Sequence, residues 1–306
     1  MNNAPRQDLN RNPFVGRRQA FRQWLFLASS RLIFRVAGSL SPGLTGKLAL
    51  RSFTTPPKFP LNPMERRLYE QSEFALQNIQ GRQIAIRSWG TGPVVLFSHG
   101  WGGQGVQFHA LIEALVRSGY RAVAFDAPAH GNSPGKRTHM LEVSRILAAL
   151  GKQLGPIDTL VGHSFGCGTA LLAQSRYDLK AGKLVLIACF DDIHWITRRF
   201  AEVFELSEPV LLAMMKEAHR KYSVQVREAW DWPELSPMNT IQTVECDVLL
   251  VHDTQDREVP HAHALRLIEQ HTRAQLLTTR GLGHKRILGD PETVRYCTEF
   301  IGREFY

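Results

Sequence analysis

Short runs of uninterrupted apolar residues, separated by stretches with a helical pattern, constrain this chain more than any other feature. Val94-Val95-Leu96-Phe97, Ala122-Val123-Ala124-Phe125, Leu184-Val185-Leu186-Ile187 and Val248-Leu249-Leu250-Val251 contain no polar residue. A strand with one wet face alternates, whereas a strand apolar at every position is covered on both faces. Ile84 to Trp89 alternates, and Gly90-Thr91-Gly92-Pro93 turns it into the first of those runs. Asp158-Thr159-Leu160-Val161 and Gln275 to Thr278 read as two further strands. Helical stretches lie near Val106 to Ser118, Met140 to Leu154 and Cys167 to Ser175. This is the spacing of βαβ units, and it predicts an α/β fold: a mostly parallel central sheet with helices on both faces.

The rhythm starts near residue 74 and breaks once, from Phe190 to Thr243. That interval far exceeds an ordinary connection of about 2–6 residues. It looks helical and carries Trp195, Phe200, Phe204, Met214, Met215, Trp230 and Trp232. It predicts an inserted helical cap over the carboxyl edge of the sheet. The expected organisation is therefore an arm and Pro-rich linker over 1–73, a core over 74–189 and 244–306, and a cap over 190–243.

Charge separates the arm from the body. The formal net charge is +9, yet residues 1–67 carry twelve Lys or Arg against only Asp8 and Glu65. The rest of the chain is nearly neutral, which excludes a basic nucleic-acid-binding domain. From Phe14 to Phe53 arginines are mixed with aromatic and aliphatic residues. With no Pro or Gly from Arg17 to Ala37, a helix is expected there, stopped near Gly38 and Ser41-Pro42. At 100° per residue the arginines do not gather on one face, so a cleanly amphipathic surface helix does not emerge. Three readings stay open: a helix packing its aromatics on the body, peripheral contact with an anionic membrane through residues 14–53, and a cleaved signal. Thr54-Thr55-Pro56-Pro57 with Pro60 and Pro63 reads as a stiff linker. Four widely spaced cysteines (Cys167, Cys189, Cys246 and Cys297) read as reduced core thiols, which points to a cytoplasmic protein, with the inner face of a membrane as its other expected place.

Gly162-His163-Ser164-Phe165-Gly166 directly follows an apolar strand and precedes a helical stretch. A sharp strand-to-helix turn holds its serine in a strained conformation, and flanking glycines remove the Cβ atoms that would clash. The helix N-terminus favours negative charge developing there. Serine alone is a poor nucleophile near neutral pH, so this reading requires a base and an acid to orient it.

With His99-Gly100-Trp101-Gly102-Gly103 after the first apolar run, and Asp126-Ala127-Pro128-Ala129-His130-Gly131-Asn132-Ser133 after the second, the chain resembles the α/β-hydrolase family from about residue 80 to 303. Ala129 stands where the family turn usually has Gly, and Cys167 where a Gly commonly follows the elbow. The resemblance implies a triad in the chain order Ser, Asp, His. Ser164 is the nucleophile, and His284, in Gly281-Leu282-Gly283-His284, is the base. Asp256 is the acid, standing three residues before Val259 and four before Pro260. Asp253 is its local rival, with a turn role as the other reading. The backbone amides of Trp101 and Phe165 are the implied oxyanion donors.

The expected activity is that of a serine hydrolase acting on a small-molecule carboxylic ester or thioester, through an acyl-enzyme, with no cofactor and no metal. Serine in the elbow excludes the dehalogenases and epoxide hydrolases of the family, which need aspartate there. A membrane-associated lipid hydrolase, an acyltransferase and a non-catalytic binding protein are the alternatives. His99 and His163 flank the active loops and read as satisfying local backbone groups. His261 and His263 lack the carboxylate pattern of a metal site. Substrate-binding residues and oligomeric state are unknown from sequence.

Overall fold

The computed structural model describes residues 13–303, with side chains from Leu25 onward except Phe26. Helices α1 (Pro13–Leu40), α2 (Pro42–Phe53) and α3 (Pro63–Glu70) precede the hairpin β1 (Glu73–Ile79) and β2 (Arg82–Trp89). Then follow β3 (Val94–Ser98), α4 (His109–Arg117), β4 (Arg121–Phe125), α5 (Met140–Leu154), β5 (Ile157–His163), α6 (Phe165–Tyr177) and β6 (Ala181–Ile187). The insertion holds α7 (Ile193–Phe204), α8 (Glu208–Val226) and the single turn α9 (Pro237–Thr240). The chain closes with β7 (Asp247–Asp253), α10 (Ala262–Ile268), β8 (Ala274–Thr279), α11 (Gly283–Arg286) and α12 (Pro291–Gly302).

The eight strands form one sheet in the order β1-β2-β4-β3-β5-β6-β7-β8. The β1–β2 and β2–β4 pairs are antiparallel, and every pair from β4 to β8 is parallel. Register explains the unbroken apolar runs. Leu96, Leu160, Leu184 and Val248 lie side by side across β3, β5, β6 and β7, and all face one core that also holds Ile146, Leu147 and Leu171. Their neighbours Phe97, Val161, Val185 and Leu249 face the opposite core, with Ile112, Leu115 and Phe300. The middle of each strand is therefore an unbroken apolar run because successive side chains enter different cores.

The chain forms two compact units. The smaller joins the chain through Leu50 to Thr197–Ala218, and the larger holds Arg51–Ile196 and His219 onward. The segment expected as one cap over 190–243 is therefore divided between the two. Within the smaller unit, α1 runs through Gly38 and ends at Leu40, at the Ser41-Pro42 break that the sequence predicts. A Cβ at Gly38 would stand 3.0 Å from Val210 Cγ2, so this glycine permits close helix packing. The expected linker contains a helix. The Asn62 side chain accepts from the Met64 and Glu65 amides at 2.9 Å, Glu65 answers to the Asn62 amide at 2.8 Å, and Pro63 sits at the first helical position. This capping box starts α3 at Pro63, the last proline of the stretch that reads as a linker, while Pro56, Pro57 and Pro60 stay outside any helix.

Candidate active site

The β5–α6 junction lies in the larger unit. Ser164 has φ 51° and ψ −115°, a left-handed conformation for a residue with a side chain, of order 1–3 kcal/mol in strain. What holds it there is backbone contact on both sides. A Cβ at Gly162 would lie 2.7 Å from Gly166 O, and one at Gly166 would lie 1.9 Å from Ser98 O. The Ser164 amide donates to Ile187 O at 2.9 Å, which ties the turn to β6. Ser164 and Phe165 remain half-exposed among buried neighbours.

The loop after β3 packs against this turn. A Cβ at Gly100 would stand 2.7 Å from His163 Nδ1, and the Trp101 and Phe165 rings meet edge-to-face at 5.1 Å. Phe165 N–H is the first amide of α6 and falls outside its hydrogen-bond ladder. Neither that amide nor Trp101 N–H has an acceptor among the described residues. The two amides are thus available to an anion at the positive end of a helix.

Asp256 and His284 come together from two loops. His284 Nδ1 lies 2.7 Å from Asp256 Oδ2, and both side chains are buried. Burial pushes the Asp256 carboxyl up. The His284 bond, with the Val259 and Glu258 amides on Oδ1 at 2.9 and 2.8 Å, outweighs burial and holds it below the usual carboxylate range. A carboxylate in that state requires Nδ1 to carry a proton, which leaves Nε2 as the basic nitrogen. Among the described residues no hydrogen bond joins Ser164 Oγ to His284.

Asp253 is used otherwise. Its Oδ2 accepts from Thr279 Oγ1 at 2.8 Å and from the Leu282 amide at 3.0 Å, and its Oδ1 accepts from the Gln255 amide at 2.9 Å. Burial raises this carboxyl, but these bonds win and push it down to about 2. Asp253 therefore ties down the Gly281–Gly283 turn that carries His284, while Asp256 meets the imidazole itself.

Several residues read as locally occupied reach farther. His163 Nε2 donates to His284 O at 3.0 Å, and Gln107 Nε2 faces His163 Nδ1 at 3.2 Å. Burial first, and then the neighbouring His284, push the His163 ring down to about 3, so it stays neutral in the tautomer those bonds require. The residue preceding Ser164 thus holds the main chain of His284, across 121 positions of sequence. His99 is also neutral, pushed down to about 4 by burial. It accepts from the Ala127 amide on Nε2 at 2.9 Å and bonds Gly100 O through Nδ1 at 2.8 Å. Asp126 accepts from the Gly105 and Asn132 amides at 2.9 Å each and so braces the turn beside the Trp101 loop. No local motif marks Gln107 or the long reach of His163. His263 Nδ1 lies 2.5 Å from the Asp191 carboxylate, which also pairs with Arg266.

A family model described as "Alpha/beta hydrolase family" matches residues 94–295, which include Trp101, Ser164, Phe165, Asp256 and His284. A non-heme haloperoxidase of Rhodococcus erythropolis is 33% identical over 111 residues, covering 35% of this chain and 40% of the relative. An sn-1-specific diacylglycerol lipase of Mus musculus is 42% identical over 91 residues, covering 28% of this chain and 30% of the relative. The chain thus spans less than half the length of these curated relatives. Among solved structures, an esterase from Exiguobacterium antarcticum superposes with TM-score 0.59 at 18% identity, over 76% of this chain and all of that one. That likeness is one of fold. The strand order, the strained serine between strand and helix, and a family match over most of the chain converge: this protein belongs to the alpha/beta hydrolase family.

Proposed function

We propose that this protein is a serine hydrolase that cleaves a carboxylic ester or thioester through an acyl-enzyme. The observation that carries the proposal is the buried His284–Asp256 bond of 2.7 Å, on a loop held by the residue next to the strained Ser164. His284 Nε2 takes the Ser164 proton as Oγ attacks the acyl carbonyl. Trp101 N–H and Phe165 N–H receive the developing oxyanion. Collapse of the tetrahedral intermediate expels the alcohol or thiol, which leaves with the proton from His284. Water then attacks the acyl-serine, giving up its proton to His284, and the acid departs as Ser164 regains a proton. Asp256 keeps the imidazole in the required tautomer and stabilises it when charged.

The test is labelling of the intact chain with a fluorophosphonate, with peptide mapping, alongside hydrolysis of p-nitrophenyl esters and acyl thioesters of graded chain length. The expected result is an adduct on Ser164 and turnover of at least one acyl series, both absent in Ser164→Ala. A folded protein that takes no label and turns over neither series would be a hydrolase-like binding protein instead.

A further inference from the structure

We infer that the outward face of α1 and α2 is a docking surface for an anionic phospholipid bilayer, on which these helices lie without crossing it. The inference concerns the smaller unit and is independent of the proposed catalysis.

The inward sides of both helices are occupied. Phe34 is buried edge-to-face against Phe204 at 5.8 Å, and Arg31 Nε donates to Val203 O at 2.9 Å. Arg31 and Arg35 pair with Glu205 at 3.3 and 2.6 Å. A Cβ at Gly46 would come within 2.7 Å of Met214 N, so α2 sits backbone-close to α8.

The outward sides are apolar as well, and uncovered. Leu25, Leu32, Ile33, Val36 and Leu40 fall within an arc of roughly 100° on the α1 wheel, opposite Phe34. Leu32 is 61% exposed and Leu40 82%. On α2, Leu44 (63%) and Leu48 flank the exposed Lys47, while Thr45, Gly46, Ala49 and Leu50 are buried. These seven residues are half of the large apolar side chains exposed among the described residues, gathered between positions 25 and 48. An exposed apolar patch of this kind marks an interaction surface.

Charge selects the occupant. Residues 1–53 carry nine Lys or Arg and a single acidic residue, Asp8; with Arg31 and Arg35 paired to Glu205, seven cations are left to meet an anionic surface. A second copy would bring the same cations against each other. A nucleic acid would match the charge but leave the leucines in water. An anionic lipid surface takes both, with cations at the headgroups and leucines at the acyl boundary. Among the described residues no helix is long and apolar enough to cross a membrane, so contact lies in the plane of the interface.

The experiment is sedimentation of the full chain with vesicles of phosphatidylcholine, with or without about 30% phosphatidylglycerol, at low and high salt. Partitioning should be at least about tenfold stronger on the anionic vesicles and should weaken with salt. Leu32→Glu combined with Leu44→Glu should reduce it about tenfold more, with the circular dichroism unchanged. Lys47→Glu tests the charge without altering the apolar face and should also weaken binding. Absence of binding, equal binding to neutral vesicles, or indifference to these substitutions would overturn the inference. So would light scattering that shows a dimer lost in the leucine variant when no vesicle binds, because the face would then be self-associating. Partitioning needs no turnover, so an inert Ser164 would leave this result standing.

Discussion

The β5–α6 turn and the α1–α2 pair are both rich in close backbone contacts, but they use them differently. At the turn, contact closes on every side. Gly162, Gly166 and Gly100 each lie where a methyl group would strike backbone or an imidazole, and the strained Ser164 stays partly exposed among them. In α1 and α2, Gly38 and Gly46 bring one side of the helices against α8 and leave an opposite side with exposed leucines facing out. Closure on all sides holds a single reactive atom in place. Closure on one side leaves a surface.

Ser164→Ala separates the two regions most sharply. Turnover should fall by about 10⁴-fold or more, while vesicle binding and thermal midpoint stay as in the parent. Asp256→Asn should lower kcat by about 10²–10⁴-fold, because the amide no longer requires Nδ1–H on His284. Ester kinetics on Asp256→Asn and Asp253→Asn together decide the acid. An active Asp256→Asn beside an inactive Asp253→Asn would exchange their roles.

Glycine substitutions put the packing contrast on a stability scale. Gly166→Ala should cost about 3 kcal/mol in denaturant unfolding, since its Cβ must displace the Ser98 carbonyl. Gly43→Ala, on the open side of α2 with nothing within 4 Å, should instead be neutral or stabilise by about 0.5 kcal/mol.

A pH-dependent effect tests the loop that carries His284. The Asp253 carboxyl titrates at about 2 in the folded chain against about 3.9 when unfolded. Its contribution is complete above pH ~4 and is lost as the pH falls toward ~2. Asp253→Asn should therefore flatten that part of the stability profile. A slope unchanged from the parent between those pH values would show that Asp253 does not couple to folding.

Much of this could be read along the chain, for local reasons. The strands β3 to β7 were legible because two cores demand an unbroken apolar run in the middle of each. α5 was expected over Met140 to Leu154 and spans those residues. The turn at Ser164 is legible because the strand-to-helix turn itself demands small flanking residues: Gly162 answers the backbone of Gly166 and Cys167, although Gly166 answers the distant Ser98 carbonyl. α3 is hidden in the sequence by the surrounding prolines, which read as a linker, although Asn62, Pro63 and Glu65 spell its cap. α1 gives no amphipathic signal because its arginines are spread around the helix, and between Leu32 and Leu40 apolar residues lie on both the covered and the exposed side.

By itself the sequence determined the α/β sheet, the serine elbow and the confinement of positive charge to the arm, all written in residue type and short spacing. Only the tertiary structure decided which aspartate meets His284, since Asp253 and Asp256 are three positions apart and differ in what the loops bring to them. It alone decided that His163 holds the main chain of His284, a contact across 121 residues, and which apolar side of α1 is covered. Short-range order follows from backbone geometry and side-chain pattern. Pairings between distant loops exist only once packing has brought those loops together.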